Sequence, residues 1–209
     1  MVGQGVLREC LLDPDVESVL SIVRAPTGRV EPNLRELVHR DFFDFSAIEN
    51  QLAGYDACFF CLGVSSAGMQ EADYRRVTYD ITLASARTLA RLNPAMTFIY
   101  VSGTGTDSSE KGSSMWARVK GKTENDLLRL PFKSAYMFRP GAIVPLYGAK
   151  SKTKFVQALY TVLKPVLPML SALFPKYVTN TEQVGRAMLT VAKQGAPKPV
   201  LETSDMNKI

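Results

Sequence analysis

The chain contains 209 residues, of which 46% are hydrophobic and 22% are charged, and its formal net charge is +5. These values fit one globular domain with a sizeable core, spanning residues 1–209, and they exclude a disordered or fibrous chain. Lysine and arginine are scattered along the sequence instead of forming a basic face, which argues against nucleic-acid binding. The single histidine, His39, excludes a multi-histidine metal site.

The first half of the sequence alternates between helix-like and strand-like runs. The opening decamer MVGQGVLREC has apolar residues at helical spacing around two glycines and predicts a helix. Apolar or β-rich runs predict strands over 17–24, 36–43 and 56–63. Amphipathic spacing predicts a short helix over 45–54 and a long helix over 70–92.

The second half continues the same alternation. Strands are predicted over 96–103 and 134–144, and a helix over 114–130. Thr179 and Glu182 have the spacing of a capping box ahead of VGRAMLTVAKQG, and KPVLE is predicted to be a last strand. Strands separated by helices of this length predict a doubly wound α/β domain, in which a parallel sheet carries helices on both faces.

The segment over 155–174 is strongly apolar but is interrupted by Lys164, Pro165 and Pro168. A membrane-spanning helix needs about 20 mostly apolar residues with a continuous backbone ladder, so no membrane span is predicted here. We expect residues 146–178 to form a small C-terminal cap. Its apolar surface would serve as a lid, a pocket wall, a partner-binding face or the interface of a homodimer.

The three cysteines are Cys10, Cys58 and Cys61, an odd and low count that indicates a reducing compartment and predicts a cytoplasmic protein. Cys58 and Cys61 have C-x-x-C spacing, but both lie within the apolar run ACFFCLG. In a strand, side chains three positions apart point to opposite faces of the sheet. A redox-active dithiol is therefore disfavoured.

Four stretches carry a resemblance to one family: YDACFFCLGVSSAG, FIYVSGTGTDSSEKGSSMWARVKGKTE, FRPGAIV and AMLTVAKQGAPKPVLETSDMNKI. With them the chain resembles the atypical short-chain dehydrogenases/reductases, in particular the group of the Tat-interacting proteins. The matching stretches span nearly the whole chain in the family's order. The resemblance implies a Rossmann-like fold that binds a nicotinamide dinucleotide.

Members of the family begin with a strand and a Gly-x-x-Gly-x-x-Gly turn. Only MVG matches that turn here, with Gly3 as its third glycine, the one that permits close contact between helix and strand. The resemblance therefore implies that Val2 and Gly3 line the cofactor site. It also implies that a first strand and two glycines, about ten residues, are missing. A gene that truly lacks the strand is the alternative interpretation.

The residues after the strand over 17–24 favour NADP(H) over NAD(H). NAD-preferring domains of this type carry a carboxylate at this point, which binds the ribose 2′-hydroxyl. Here the strand ends in Arg24, Arg29 follows, and the first acid is Glu31. A guanidinium suits a 2′-phosphate because it forms charge-assisted bidentate hydrogen bonds. A solvated arginine at a strand end is the alternative.

The resemblance alone implies the remaining cofactor contacts, which run from the adenine to the nicotinamide end of the site. In that order they are Asp41 and Phe42, then Cys61, Leu62 and Gly63, and finally Pro140 and Gly141. Purely structural roles are the alternatives: a loop-capping carboxylate, a core aromatic ring and a turn.

The family's catalytic signature is a serine with a Tyr-x-x-x-Lys helix, whose four-residue spacing puts the tyrosine and the lysine on one helical face. By the resemblance, Ser102 is the substrate-polarising serine, and Lys120 is the lysine that holds the nicotinamide ribose. Trp116 occupies the tyrosine position. An indole N–H donates a hydrogen bond but does not act as an acid or base near neutral pH, so the usual acid is absent.

The sequence leaves different classes of function open. One is an NADP(H)-dependent oxidoreductase, or an epimerase-like enzyme, on a small carbonyl or hydroxyl substrate. Water or a phenol from Tyr74, Tyr79 or Tyr100 would then deliver the proton. Another is a catalytically weak, cofactor-binding regulator with a protein partner, which Trp116 favours. A third is a non-binding chain stabilised by oligomerisation.

Overall fold

A computed structural model describes residues 1–149 and 176–209. Its strands are β1 (Val19–Val23), β2 (Leu34–Val38), β3 (Ala57–Phe60), β4 (Thr97–Val101), β5 (Ser134–Arg139), β6 (Ala142–Val144), β7 (Val178–Asn180) and β8 (Val200–Glu202). Its helices are α1 (Val2–Leu12), α2 (Glu71–Arg75), α3 (Ile81–Leu92), α4 (Met115–Leu127), α5 (Thr181–Gln194) and α6 (Thr203–Met206). A 3-10 turn covers Ser46–Gln51, and a π-helical segment covers Arg76–Asp80.

Every strand pair in this structure is parallel, which confirms the predicted fold class. Strands β3, β4, β5 and β8 form one sheet in the order β3-β4-β5-β8, while β1 pairs with β2 and β6 pairs with β7. Within the described residues, no ladder joins β1 to β3. In the Rossmann strand order 3-2-1-4-5-6, the first strand lies between the second and the fourth strands, to which β1 and β3 of this chain would correspond. The absence of a first strand stays a prediction.

Two hydrophobic cores lie on opposite faces of the sheet, because neighbouring residues of a strand point to opposite sides. Ile99 and Phe138 face a core built mainly from α1 and α5, which includes Val6 and Met188. The alternate strand residues, among them Phe98 and Met137, face the second core. That core also contains Leu83 and Ala86 of α3 and Leu127 of α4. Helices therefore cover both faces, as predicted.

Glycines bring α1 and α5 into close contact. A Cβ on Gly5 would lie 2.6 Å from the carbonyl oxygen of Thr181, and a Cβ on Gly185 would lie 2.6 Å from Glu9 Cγ. Both distances are shorter than any van der Waals contact, so neither position has room for a side chain. This pairing anchors α1 over the sheet.

Two predicted elements differ from the structure near the second strand. The strand expected over 36–43 is β2, which covers Leu34–Val38 and so begins and ends earlier. The residues that follow form a turn in which Asp41 Oδ1 accepts a hydrogen bond from the Phe43 amide at 2.9 Å. The helix expected over 45–54 is the shorter 3-10 turn.

Three further differences concern the second half and the long helix. The helix expected over 70–92 contains the π-helical segment, and the strand expected over 134–144 breaks after Arg139 into β5 and β6. The capping box is wrong: Asn180 is the N-cap of α5, and its side chain accepts from the Gln183 amide at 2.8 Å. The apolar segment over 155–174 and most of the expected cap lie outside the described residues.

Candidate functional site

Predicted site residues directly follow the carboxyl ends of parallel strands, both in the four-stranded sheet and in the separate β1-β2 pair. Arg24 follows β1, Asp41 follows β2, Cys61 follows β3, Ser102 follows β4 and Pro140 follows β5. In open α/β sheets, ligands bind in the crevice outside the carboxyl ends of the strands. We call these strand ends, together with the first turns of α1 and α4, the carboxyl edge.

The first turn of α1 lies at this edge. A Cβ on Gly3 would lie 3.3 Å from Cys61 Cβ, directly after β3. That distance is tighter than an ordinary van der Waals contact, so Gly3 allows close approach of helix and strand, as the third glycine of the motif does. Gly63 has open space where its Cβ would be. The helix start and the β3 turn therefore leave room for a phosphate near the positive end of α1.

Two exposed arginines stand at the ends of β1 and β2. The His39 amide donates to the Val23 carbonyl at 2.8 Å, which joins the two strand ends and brings Arg24 and Arg40 to neighbouring positions. Neither guanidinium has a hydrogen bond or ion pair with any other described residue. Arg29, by contrast, pairs with Glu31 at 3.2 Å.

Asp41 and Phe42 have structural contacts at the same end. Asp41 caps the Phe43 amide, and Phe42 lies 5.8 Å from the ring of His39 and 5.9 Å from that of Phe45. Asp41 is exposed and Phe42 is half-buried, so both still border the carboxyl edge. Leu62 packs partly into the core that contains Phe45.

Lys120 faces the end of β4. Its ammonium donates to the carbonyl oxygen of Ser102, and a Cβ on Gly103 would lie 3.7 Å from Lys120 Nζ. Burial lowers the pKa of Lys120, and the negative charge of Glu124 partly offsets that effect. The lysine is therefore a partly desolvated cation at the carboxyl edge.

Ser102 lies deeper than expected from the resemblance. The residue is 6% exposed, and its hydroxyl donates to Glu124 Oε1 at 2.5 Å. Glu124 is 1% exposed and is bound by Arg139, whose Nε lies 3.1 Å from both carboxylate oxygens. Glu124 in turn raises the pKa of Arg139. Together Ser102, Glu124 and Arg139 form what we call the Glu124 cluster.

Trp116 lies beside the loop that follows β4. Gly105, with φ of +87°, approaches the indole so closely that a Cβ there would lie 3.3 Å from Trp116 Cη2. The Trp116 ring centroid is 6.0 Å from Lys120 Nζ. The residue that replaces the expected tyrosine thus stands next to the lysine.

Of the three phenols that could replace that tyrosine, two are buried in the core and one is hydrogen-bonded to a carboxylate. Tyr74 and Tyr100 are 2% and 1% exposed, and burial raises the pKa of both. Tyr79 donates to Asp126 at 2.7 Å. Burial is the larger cause of the raised pKa of Tyr79, and the hydrogen bond to Asp126 is the next. None of the three offers a free hydroxyl at the carboxyl edge.

Pro140 and Gly141 hold the turn between β5 and β6. The Pro140 carbonyl accepts from the Thr104 amide at 3.0 Å, and the Gly141 amide donates to Thr203 Oγ1 at 2.8 Å. The turn therefore joins the loop after β4 to the start of α6, on the side of the edge where Lys120 lies.

The cysteines are not suited to redox chemistry. Desolvation by burial raises the pKa of Cys58 and of Cys61 to about 12, and that of Cys10 to about 12 as well. A thiol reacts as the thiolate, so these groups are inert near neutral pH. All three are free in the structure.

A separate surface cavity of about 540 Å³ lies at the opposite edge of the sheet. Thr97 and Ser134, the first residues of β4 and β5, contribute to its wall together with Lys133. It is therefore not part of the carboxyl edge. In the part of the chain that the structure describes, no helix is both long and apolar enough to cross a membrane.

Sequence reasoning missed three polar residues of the edge: Arg40, Glu124 and Arg139. Glu124 follows Lys120 by four residues, as Lys120 follows Trp116, so helical periodicity could have placed it on the same face of α4. Arg139 was visible in the FRPG stretch as a cation before the turn. No signal in the sequence pairs Arg139 with Glu124, because tertiary packing determines this contact.

Comparison with known proteins adds relatives at low identity. FMP52-1, a protein of Scheffersomyces stipitis named as mitochondrial, is 30% identical over 146 residues, which are 69% of this chain and 63% of that protein. HTATIP2 of Rattus norvegicus is 27% identical over 145 residues, 68% of this chain and 58% of that protein. The match thus spans about three fifths of these relatives. No family model matches the chain.

Solved structures share the fold. UDP-N-acetylglucosamine 4-epimerase from Bacillus cereus has a TM-score of 0.66 at 12% identity, covering 96% of this chain and 73% of that one. A short-chain dehydrogenase from Burkholderia cenocepacia in complex with NADP has a TM-score of 0.63 at 14% identity, covering 96% and 83%. WbmF from Bordetella bronchiseptica in complex with NAD⁺ has a TM-score of 0.61 at 15% identity, covering 99% and 73%.

The chain therefore has a Rossmann-like α/β fold, which it shares with the UDP-N-acetylglucosamine 4-epimerase and the short-chain dehydrogenase. The predicted resemblance agrees with these comparisons: the chain is similar to HTATIP2 at low identity and shares its fold with a short-chain dehydrogenase and with epimerases. A nicotinamide dinucleotide is the cofactor class of such neighbours.

Proposed function

We propose that the chain binds NADP(H) along the carboxyl edge and acts as an oxidoreductase on a small carbonyl or hydroxyl substrate. One observation carries the proposal: the first turn of α1, two arginines without partners among the described residues, and the half-buried Lys120 all lie near the carboxyl ends of parallel strands. A dinucleotide carries negative phosphates at separate points, and each of these groups is suited to one part of it.

The preference for the 2′-phosphorylated cofactor rests on Arg24 and Arg40. Both are exposed and have no ion pair within the described residues, whereas Arg29 is neutralised by Glu31. Two free guanidinium groups at adjoining strand ends favour a doubly charged phosphate over a neutral hydroxyl. Val2 and Gly3 would face the pyrophosphate with the amides of the helix start.

Lys120 and the turn at Pro140 serve the nicotinamide end in this proposal. The Lys120 ammonium, already oriented by the Ser102 carbonyl, would hold the ribose hydroxyls. Pro140 and Gly141 would border the ring only through their backbone, because the space where a Gly141 Cβ would lie is filled by the Tyr177 carbonyl. The cofactor supplies hydride chemistry when it is bound. The substrate oxygen needs a hydrogen-bond donor beside Lys120, and the proton would come from water because Trp116 is not an acid.

A catalytically weak, cofactor-binding regulator is the second candidate. The specific observation in its favour is that Trp116 replaces the acid and that Tyr74, Tyr79 and Tyr100 have no free hydroxyl at the edge. In this case cofactor binding would control a surface for a protein partner, and turnover would be slow or absent. The epimerase-like reaction belongs with the enzyme proposal, because it uses the same hydride chemistry.

Energy transfer from Trp116 to bound NADPH tests both candidates. The chain has one tryptophan, so the signal reports a single place beside Lys120. We expect NADPH to bind at least ten times more tightly than NADH, since one charge-assisted interaction contributes about 1.5–3 kcal/mol. If the folded protein bound neither NADPH nor NADH, the dinucleotide proposal would be refuted. Binding without oxidation of NADPH by 9,10-phenanthrenequinone would favour the regulator.

The cellular compartment also belongs to the proposal. The odd and low cysteine count favours a reducing compartment and predicts the cytoplasm, and all three thiols are free in the structure. The FMP52 relatives are named mitochondrial, which favours the mitochondrion instead. Imaging of a tagged chain against markers of both compartments would decide between them, and sedimentation of the purified chain would test the homodimer.

A further inference from the structure

The hydroxyl proton of Ser102 is committed to a buried carboxylate. Ser102 Oγ donates to Glu124 Oε1 at 2.5 Å, and it also lies 3.2 Å from the carbonyl oxygen of Phe138. A serine hydroxyl has only one proton. A hydrogen bond to a carboxylate is stronger than one to a neutral carbonyl, so Glu124 keeps that proton. Ser102 therefore has none to donate to a substrate oxygen.

Arg139 keeps Glu124 in this position. Its Nε and Nη2 bind both carboxylate oxygens, and Glu124 is 1% exposed. Breaking a buried ion pair of this kind leaves an uncompensated charge, which is costly. The two contacts from Arg139 thus hold the Glu124 carboxyl group in its orientation towards Ser102, and rotation of the serine towards a ligand would break the hydrogen bond to Glu124.

Thr104 carries the next hydroxyl along the same loop, and it is exposed. Its amide donates to the Pro140 carbonyl at 3.0 Å, and its hydroxyl donates to the Arg139 carbonyl at 3.0 Å. This second bond goes to a neutral acceptor at the surface, so a ligand oxygen can replace it at small cost. The amide bond keeps the backbone in place while the hydroxyl changes partner.

The two neighbours of Thr104 border the rest of the site. Gly103 is the residue whose Cβ would lie 3.7 Å from Lys120 Nζ, and Gly105 is the residue against the Trp116 ring. Thr104 therefore stands between the points where the loop meets the lysine and the indole. Those are the two side chains that occupy the positions of the family's Tyr-x-x-x-Lys pair.

We propose that Thr104, not Ser102, donates the hydrogen bond that polarises the substrate oxygen. This inference rests on the proposed function and adds a catalytic residue to it. In carbonyl reduction, the carbonyl carbon accepts a hydride supplied by NADPH, and the π electron pair of the C=O bond moves to oxygen. That oxygen would take a proton from water, which leaves hydroxide, so that the products would be an alcohol and NADP⁺. Thr104 keeps its own proton and stabilises the charge that develops on the oxygen.

Threonine methyl NMR tests the contact without turnover. The protein is labelled with ¹³C at the threonine methyl groups, saturated with NADP⁺ and then titrated with acetophenone, a pair that cannot react with each other. Thr104→Val identifies the Thr104 signal and removes the hydroxyl while keeping the shape of the side chain. Thr106 is an internal control, because it is buried and its hydroxyl donates to the Gly103 carbonyl at 2.7 Å.

We expect acetophenone to shift the Thr104 signal in the NADP⁺ complex and to leave the Thr106 signal in place. An unchanged Thr104 signal at saturating ketone would overturn the proposal. The indole N–H signal of Trp116 reports separately whether NADP⁺ binds. If that signal does not respond, the proposed function fails, and this inference fails with it for that identifiable reason.

Variants provide a second measurement with NADPH and 9,10-phenanthrenequinone. Thr104→Val should lower kcat roughly 100-fold, as loss of one oxyanion donor does, and Thr104→Ser should restore most of it. Ser109→Ala is the matched control, since its hydroxyl in the same loop donates to Asp107 at 2.6 Å. Ser102→Ala should lower kcat less than Thr104→Val. The reverse order of these two variants would return the role to Ser102.

Discussion

The Trp116 ring centroid lies 6.0 Å from the Lys120 ammonium, one helical turn away on α4. The lysine is thus in the place where a neighbouring phenol would be made more acidic, but the neighbour is an indole. In the proposed enzyme, tryptophan in place of tyrosine at position 116 leaves Lys120 able to hold a dinucleotide but removes the group that would deliver a proton quickly.

Trp116→Tyr should restore an acid at this position. Lys120 favours the ionised form of a phenol one turn away and so lowers its pKa, which makes it a better proton donor near neutral pH. We expect the rate of 4-nitrobenzaldehyde reduction by NADPH to rise by roughly 100-fold, which is the lower end of the rate increase that general acid catalysis provides. Trp116→Phe is the control, because it makes a similar change in size without a hydroxyl. Equal activity of both variants would show that the missing phenol is not the obstacle.

Arg24→Ala and Arg40→Ala should each weaken NADPH binding by roughly tenfold and leave NADH binding nearly unchanged. Each substitution removes one guanidinium that can bind a 2′-phosphate, an interaction of about 1.5–3 kcal/mol. Isothermal titration with both cofactors measures the change. Arg29→Ala is the matched control, since Arg29 pairs with Glu31. A similar loss for NADPH and NADH would mean that these arginines do not select the 2′-phosphate.

The general fold could be predicted from the sequence because its signals are local. Continuous apolar runs identified β3, whose residues are mostly half-buried, and β4, whose residues are mostly buried. The strand over 36–43 was displaced because Phe42 and Phe45 look like strand residues but pack with His39 as a small aromatic cluster. Their burial depends on the 3-10 turn, and no periodicity in this stretch reveals that.

The site could be predicted only in part. The sequence was sufficient to place Arg24 and Ser102 at the ends of strands and Lys120 on the helix that follows β4, whereas their common role in a cofactor site stays a prediction. The direction of the Ser102 hydroxyl depends on Glu124 and Arg139, which are 15 positions apart and meet only when α4 packs against β5. A sequence pattern contains no information on which acceptor a buried hydroxyl selects.

Glu124→Gln should lower the free energy of unfolding by about 3 kcal/mol, because it leaves the Arg139 guanidinium, 13% exposed, with only the longer 3.6 Å ion pair to Glu202 as a counter-charge. Urea denaturation followed by circular dichroism measures the loss. Arg91→Ala is the comparison, as it removes an exposed ion pair with Glu49 that contributes at most about 1 kcal/mol. Equal effects of the two variants would contradict a dominant buried pair.

Gly5→Ala should destabilise the contact between α1 and α5. The new methyl group would meet the Thr181 carbonyl, a backbone atom that cannot rotate away, and overpacking of this kind costs about 1–3 kcal/mol. The intrinsic preference of helices for alanine offsets up to about 1 kcal/mol of that loss. Gly3→Ala, which meets a Cβ at 3.3 Å, should have a smaller effect. Thermal unfolding of the two variants would rank them, and a more stable Gly5→Ala protein would contradict this packing.

The thiols should not react with Ellman's reagent in the folded protein near pH 8. Burial raises the pKa of Cys10, Cys58 and Cys61 from 9.0 to about 12, so each thiol is protonated at that pH. The folded state therefore binds these protons more tightly than the unfolded state. This contribution to stability is complete below pH 9 and is lost as the pH rises from about 9 towards 12. Unfolding in urea should release all three thiols for reaction, and rapid labelling without denaturant would show that the cysteines are more exposed than the structure indicates.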